Sequence, residues 1–200
     1  MIINESTKFI HIPRTAGRFL FLLFKKNNRI DNYNFTRLYK GIEFPHLNSL
    51  QSNSVYPVSK MFDTFTVIRN PVNKFMASIG KTNTLNNKAV SYMFENEINF
   101  FNIVHKLREQ TSTNNTFEPQ INFVEKDTKI WKYEEGFKEN FYNWIKNNFK
   151  INIDLEDLLE NKIEKVGEKE QIKCNININE KQKQYIKNYY FLDYKIFNYK

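Results

Sequence analysis

Cysteine is nearly absent from this 200-residue chain: Cys174 stands alone. One thiol cannot close an internal disulfide, which fits a reducing compartment, and the cytoplasm is the expected location. No apolar run approaches the roughly 18 residues that a membrane-crossing helix needs, and no basic segment followed by a long apolar stretch opens the chain. Neither a membrane span nor a secretory leader is expected. Only three histidines occur, and none pairs with a Cys or a second His at ligand spacing, so no metal site is expected. Glycine is scarce at five residues, and nowhere does the chain read G-x-x-x-x-G-K-[ST], which excludes a Walker-type phosphate loop. Long Lys/Arg blocks are missing too. The net charge of +8 is scattered, and it points to attraction of a small polyanion before nucleic acid.

Aromatic residues, by contrast, are plentiful. Nineteen Phe and eleven Tyr in a chain that is 40% hydrophobic supply the core of one domain spanning residues 1–200. Apolar β-prone runs at 7–12, 63–68 and 128–133 alternate with helical patterns, predicting helices at 17–28, 71–79, 89–109, 134–149 and 180–197. A short strand at Phe35–Tyr39, a loop at Gly41–Pro45 and a short helix at Leu47–Ser52 are expected between the first two long elements. Gly80 to Lys88 reads as a loop, and Thr111 to Thr116 as a mobile or substrate-side loop. Residues 150–178 carry little pattern. Strands alternating with helices predict an α/β fold, a three-layer domain whose mostly parallel central sheet is flanked by helices.

The segment with the most chemistry is Phe9-Ile10-His11-Ile12-Pro13-Arg14-Thr15-Ala16-Gly17-Arg18-Phe19. A strand stops at Pro13, a small-residue turn follows, and a helix begins. Unpaired N–H groups at a helix start attract anions, and Arg14 and Arg18 add charge. A second strand, turn and helix follows at Thr64 to Phe75, where Ile68-Arg69-Asn70-Pro71 leaves the strand directly into the helix. Pro71 suits the first helical turn, where its missing N–H is no loss.

These two segments resemble the two signatures of the sulfotransferases that use 3′-phosphoadenosine-5′-phosphosulfate. One is the loop Ile-Pro-Lys-Thr-Gly-Gly-Thr-Ser. The other is an apolar strand leading into Arg-Asp/Asn-Pro-x-x-Arg-Phe. Gln120-Ile121-Asn122-Phe123-Val124, Trp131-Lys132-Tyr133-Glu134 and the tail from Tyr189 to Tyr199 are similar to further segments of the carbohydrate members. The resemblance implies a P-loop-NTPase-like sulfotransferase fold. It also implies sulfuryl transfer without metal to a hydroxyl, on a carbohydrate, leaving adenosine 3′,5′-bisphosphate; a peptide tyrosine or a small alcohol stays open as acceptor.

The resemblance assigns roles residue by residue. Backbone N–H groups of Thr15, Ala16, Gly17, Arg18 and Phe19, with the Thr15 hydroxyl, would cradle the 5′-phosphosulfate. Arg14, where the family has Lys, would contact the leaving oxygen and the sulfuryl group. Arg69 would clamp the 3′-phosphate. The family's helix Ser falls on Ala77, and Ser78, about 100° further around the helix, is its substitute. Lys74 matches the second Arg of the signature, or is a solvated helix residue. A general base should titrate near neutrality, which favours His. His46 is the candidate, with Glu43 as fallback; His11 reads as structural and His105 as a surface residue. Arg14, Arg18-Phe19 and Ala77 depart from the family pattern, and those departures also allow a weak or inactive nucleotide-binding protein. A nucleotide kinase is a third and weaker reading.

Overall fold

A computed structural model describes residues 2–4, 6–26, 37–55, 62–80, 85–154, 156 and 177–200. Cys174, the start of the Phe35–Tyr39 strand, residues 27–28 of the first helix, residues 81–84 of the Gly80–Lys88 loop and most of 150–178 lie outside the described residues. No described helix is long and apolar enough to cross a membrane.

Four strands form the central sheet in the order β1-β2-β5-β6. They are β1 (Ile2–Asn4), β2 (Thr7–Ile10), β5 (Asp63–Ile68) and β6 (Lys129–Lys132). β2, β5 and β6 run parallel, with Phe9 opposite Phe65 and Ile68 opposite Lys132. β1, which the sequence pattern did not announce, adds an antiparallel edge. All four residues of β2 and the last five of β5 are buried, as a parallel sheet covered on both faces requires.

The pleat divides the sheet's residues between two cores. Phe9, Phe65, Val67 and Trp131 pack with α1 (Gly17–Lys26) and α6 (Glu139–Phe149). Ile10, Ile12 and Ile68 pack on the other side with Phe123 and Phe197. A separate helical core joins α3 (Pro71–Ile79), α4 (Asn87–Met93), α5 (Glu97–Glu109) and α7 (Glu180–Tyr189) through Phe75, Met93, Phe100, Val104 and Ile186.

Several elements differ from the periodicity reading. The helix expected at 89–109 is two helices, because Asn96 leaves helical backbone and accepts from the Asn99 N–H at 2.9 Å, capping α5. The closing helix also breaks, at Tyr190, into α7 and α8 (Phe191–Ile196); the Tyr190 hydroxyl donates to the Phe117 carbonyl at 2.7 Å. The helix expected from Glu134 starts only at Glu139, after a tight turn at Tyr133–Glu135 and Gly136 at φ 73°. A hairpin of β3 (Leu38–Tyr39) and β4 (Ile42–Glu43) replaces part of the expected Gly41–Pro45 loop. Its turn residues, Lys40 and Gly41, have φ of 49° and 82°, the positive values that two-residue hairpins need. The short helix α2 spans Ser49–Val55.

Thr111–Thr116 is a packed corner, not a loose loop. Its Thr113 hydroxyl reaches the Leu107 carbonyl at 2.8 Å, and Thr113, Asn115 and Thr116 are buried. Asn114 and Asn115 hold φ of 57° and 58°, a conformation asparagine tolerates better than most residues.

Candidate functional site

Parallel pairing puts the carboxyl ends of β2, β5 and β6 on one edge, where open α/β sheets take their ligands. Residues 11–16, Arg69-Asn70 and Tyr133–Glu135 leave those three ends. They touch. An Arg69 guanidinium nitrogen donates to the Arg14 carbonyl at 3.4 Å. The guanidinium carbon lies 4.4 Å from the Tyr133 ring centroid, a cation–π distance. The Asn70 N–H donates to Glu134 at 2.6 Å, and the other Glu134 oxygen accepts from the Tyr199 hydroxyl at 3.0 Å. Arg69 Nε is buried and has no hydrogen-bond partner among the described residues. A buried donor of this kind demands an explanation.

The turn between β2 and α1 is strained where the resemblance puts the cradle. Arg14 and Ala16 hold φ of 71° and 73°, a left-handed conformation that costs a non-glycine residue roughly 1–2 kcal/mol. Alternating backbone handedness is also what makes neighbouring N–H groups converge on an anion. Leu20 is the first residue of α1 whose N–H is returned to the helix, at 3.1 Å from the Ala16 carbonyl. The N–H groups of Gly17, Arg18 and Phe19 precede it and have no intrahelical acceptor. Not every expected donor is there. The Thr15 side chain is fully buried, and its hydroxyl donates to the Ile12 carbonyl at 2.8 Å. Arg18 is exposed, while Phe19 turns inward against Phe137 at 5.4 Å between centroids.

His11 and His46 meet beside this turn, with ring centroids 4.7 Å apart, edge to face. His11 is buried, and a Cβ added to Gly17 would fall 1.8 Å from its ring. Glycine at 17 is therefore what lets His11 lie against the start of α1. His46 closes the turn Phe44–His46, and Glu43 Oε2 lies 3.2 Å from its Nδ1. The packed corner holds both residues. Asn115 donates to the His46 carbonyl at 2.8 Å and to Gln51 at 2.7 Å, and the Glu43 N–H donates to Asn114 at 2.7 Å. His105 sits elsewhere, 69% exposed and 3.5 Å from Glu109.

Behind the edge lies a charged interior. Lys74 is buried on α3 rather than solvated, and donates to the Thr116 and Glu118 carbonyls at 2.9 and 3.0 Å. Burial pulls its pKa down to about 8, against the opposing fields of Asp193 and Glu118. Ser78 is fully buried as well; its hydroxyl donates to the Lys74 carbonyl at 2.8 Å, so it is withdrawn from the crevice. Ala77 is half-buried. Gln120 and Asp193, to which the sequence reading gave no role, connect this interior to Arg69. The Gln120 side chain accepts from the Arg69 N–H at 2.8 Å and donates to its carbonyl at 2.7 Å. No cluster of three His, Cys, Asp or Glu able to hold a metal is found among the described residues.

Compared with protein-family models, curated proteins and solved structures, the chain has no match in any of the three.

Two outcomes follow from this geometry. Gly17→Ala forces the new methyl into the His11 ring, an overpacking expected to cost about 1–3 kcal/mol in urea denaturation. Removing the ring in the Gly17→Ala/His11→Ala double variant restores room, so the two losses are less than additive; simple additivity contradicts the contact. For Lys74 the folded pKa lies below the unfolded one, so the unfolded chain binds the extra proton between about pH 8 and 10.5. Stability relative to Lys74→Met should then rise with pH across that window, by roughly 1.4 kcal/mol per unit at most. A flat difference would contradict a buried charged lysine.

Proposed function

We propose that this chain is a sulfotransferase that moves a sulfuryl group from 3′-phosphoadenosine-5′-phosphosulfate to a hydroxyl, with a carbohydrate as the acceptor class. The observation that carries the reading is the shared edge: the turn bearing Arg14 and the strand end bearing Arg69 are in direct contact. Both are the segments whose sequence resembles the two donor-binding signatures. Two cationic side chains at neighbouring strand ends, beside an uncapped helix start, suit a nucleotide phosphorylated at both its 3′ and 5′ positions.

In this reading Arg69 holds the 3′-phosphate and the N–H groups of residues 15–19 hold the 5′ side. Arg14 neutralises charge that builds on the leaving oxygen, a role in which fixed cations are effective because they need no reorganisation. His46 accepts the proton of the acceptor hydroxyl. The acceptor oxygen bonds to sulfur as the bond from sulfur to the phosphate oxygen breaks, and that oxygen keeps the electron pair. Glu43, 3.2 Å from His46 Nδ1, would stabilise the imidazolium that forms when the ring takes the proton. No metal is required.

One observation favours a second reading, a nucleotide-binding protein with little or no transfer activity. The hydroxyls of Thr15 and Ser78 are both spent on backbone carbonyls, so two candidate donors to the phosphosulfate are lost.

Thermal-shift titration tests the class of ligand. Adenosine 3′,5′-bisphosphate should stabilise the chain at lower concentration than ATP with magnesium; the reverse order would favour a kinase. Transfer of labelled sulfate to a glycan panel then separates enzyme from binder. His46→Ala should abolish transfer while bisphosphate affinity stays within about twofold, and full activity in that variant would remove His46 as base.

A further inference from the structure

We infer that Asp193 is a positioning residue for the anion grip: through Gln120 it fixes the Arg69 backbone, and so sets how strongly the crevice prefers a nucleotide carrying a 3′-phosphate. This rests on the proposed role of Arg69.

An arginine reaching from a strand end can aim its guanidinium only as well as its backbone is held. Arg69 follows β5, where the ladder has ended, so its peptide groups need other partners. The Gln120 side chain supplies both at once, with an acceptor for the N–H at 2.8 Å and a donor for the carbonyl at 2.7 Å. The reciprocal pairing also settles which end of the amide is oxygen. Gln120 has no exposed surface, so water does not compete for these bonds.

Gln120 is held in turn from behind. It opens the turn Gln120–Asn122 after Pro119. First N–H groups of such a turn lack partners of their own. Both are taken by one carboxylate: Gln120 N–H donates to Asp193 Oδ2 and Ile121 N–H to Asp193 Oδ1, each at 2.9 Å. Asp193 sits on α8 with 1% of its surface exposed. Burying a carboxylate this deeply is expensive unless several donors meet it. An apolar residue would fill the space at less cost. A charge is kept here, and its bonds lead in two steps to Arg69. Lys74, whose field acts on Asp193, supplies the opposite charge.

The same chain of contacts accounts for two segments whose sequence significance was otherwise undefined, Gln120 to Val124 and the tail from Tyr189. They meet at Asp193 and converge behind Arg69.

The test uses the whole chain and two probes, adenosine 3′,5′-bisphosphate and adenosine 5′-monophosphate, with affinities from calorimetry. The parent should prefer the bisphosphate, and Arg69→Ala should erase that preference. Asp193→Asn and Gln120→Met should each lower the preference roughly tenfold, the scale of one charge-assisted hydrogen bond. Adding Asp193→Asn to Arg69→Ala should lower it no further. Equal weakening of both nucleotides by Asp193→Asn, with the preference intact, overturns the inference and leaves the Arg69 role standing. An unchanged preference in Arg69→Ala overturns that role and the inference with it. If neither buried variant folds, the parent itself decides. The carbon-13 carboxyl resonance of Asp193 should respond to the bisphosphate and not to the monophosphate; equal responses overturn the inference.

Discussion

The contact of the Arg69 guanidinium with the Arg14 carbonyl depends on the parallel register of β2 and β5, and the rest of the crevice depends on that contact. Phe9 opposite Phe65 in the sheet fixes the height at which the two strands release their loops. A slip of one residue would turn Phe65 and Val67 out of the α1–α6 core, so the apolar packing and the meeting of the two arginines are one constraint. Positive charge collects as a result. Arg14 and Lys74 lie close enough that Arg14 adds to the burial that depresses the Lys74 pKa. The compensating carboxylates, Asp193 and Glu118, sit behind the edge.

Support for the edge comes mainly from asparagine and glutamine. Asn70 caps α3 by accepting from the Val72 and Asn73 N–H groups. Asn114 and Asn115 anchor the Glu43–His46 turn, and Gln120 grips Arg69. Amides suit this work because they donate and accept at once and remain neutral when buried, so they order the backbone without adding charge to a crowded electrostatic site.

Much of this was legible in the sequence where period and terminator coincide. The Thr64–Ile68 run ending at Arg69-Asn70-Pro71 marked the end of β5, the apolar run ending at Pro13 overran β2 by two residues, and the central parallel pair came out as expected. Reading failed where a polar residue overrode a continuing apolar pattern. Asn96 and Tyr190 each split a helix whose hydrophobic spacing runs on across the break. Burial was also misjudged for small polar side chains. Nothing in their spacing distinguishes Thr15 and Ser78 turned inward from the same residues facing a ligand, because one hydrogen bond to a backbone carbonyl decides it. Lys74 shows the same limit: a helix lysine is normally solvated, and only the tertiary fold brings the Thr116 and Glu118 carbonyls to its ammonium group. The Asn115 link to His46 spans 69 residues, and no local pattern could announce it.

The most direct test is a crystal structure of the chain with adenosine 3′,5′-bisphosphate bound. The account predicts the 3′-phosphate against the Arg69 guanidinium and the 5′-phosphate at the N–H groups of residues 15–19, with His46 facing the vacated sulfuryl side. Nucleotide density away from the carboxyl ends of β2 and β5, or phosphates that touch neither arginine, would contradict it.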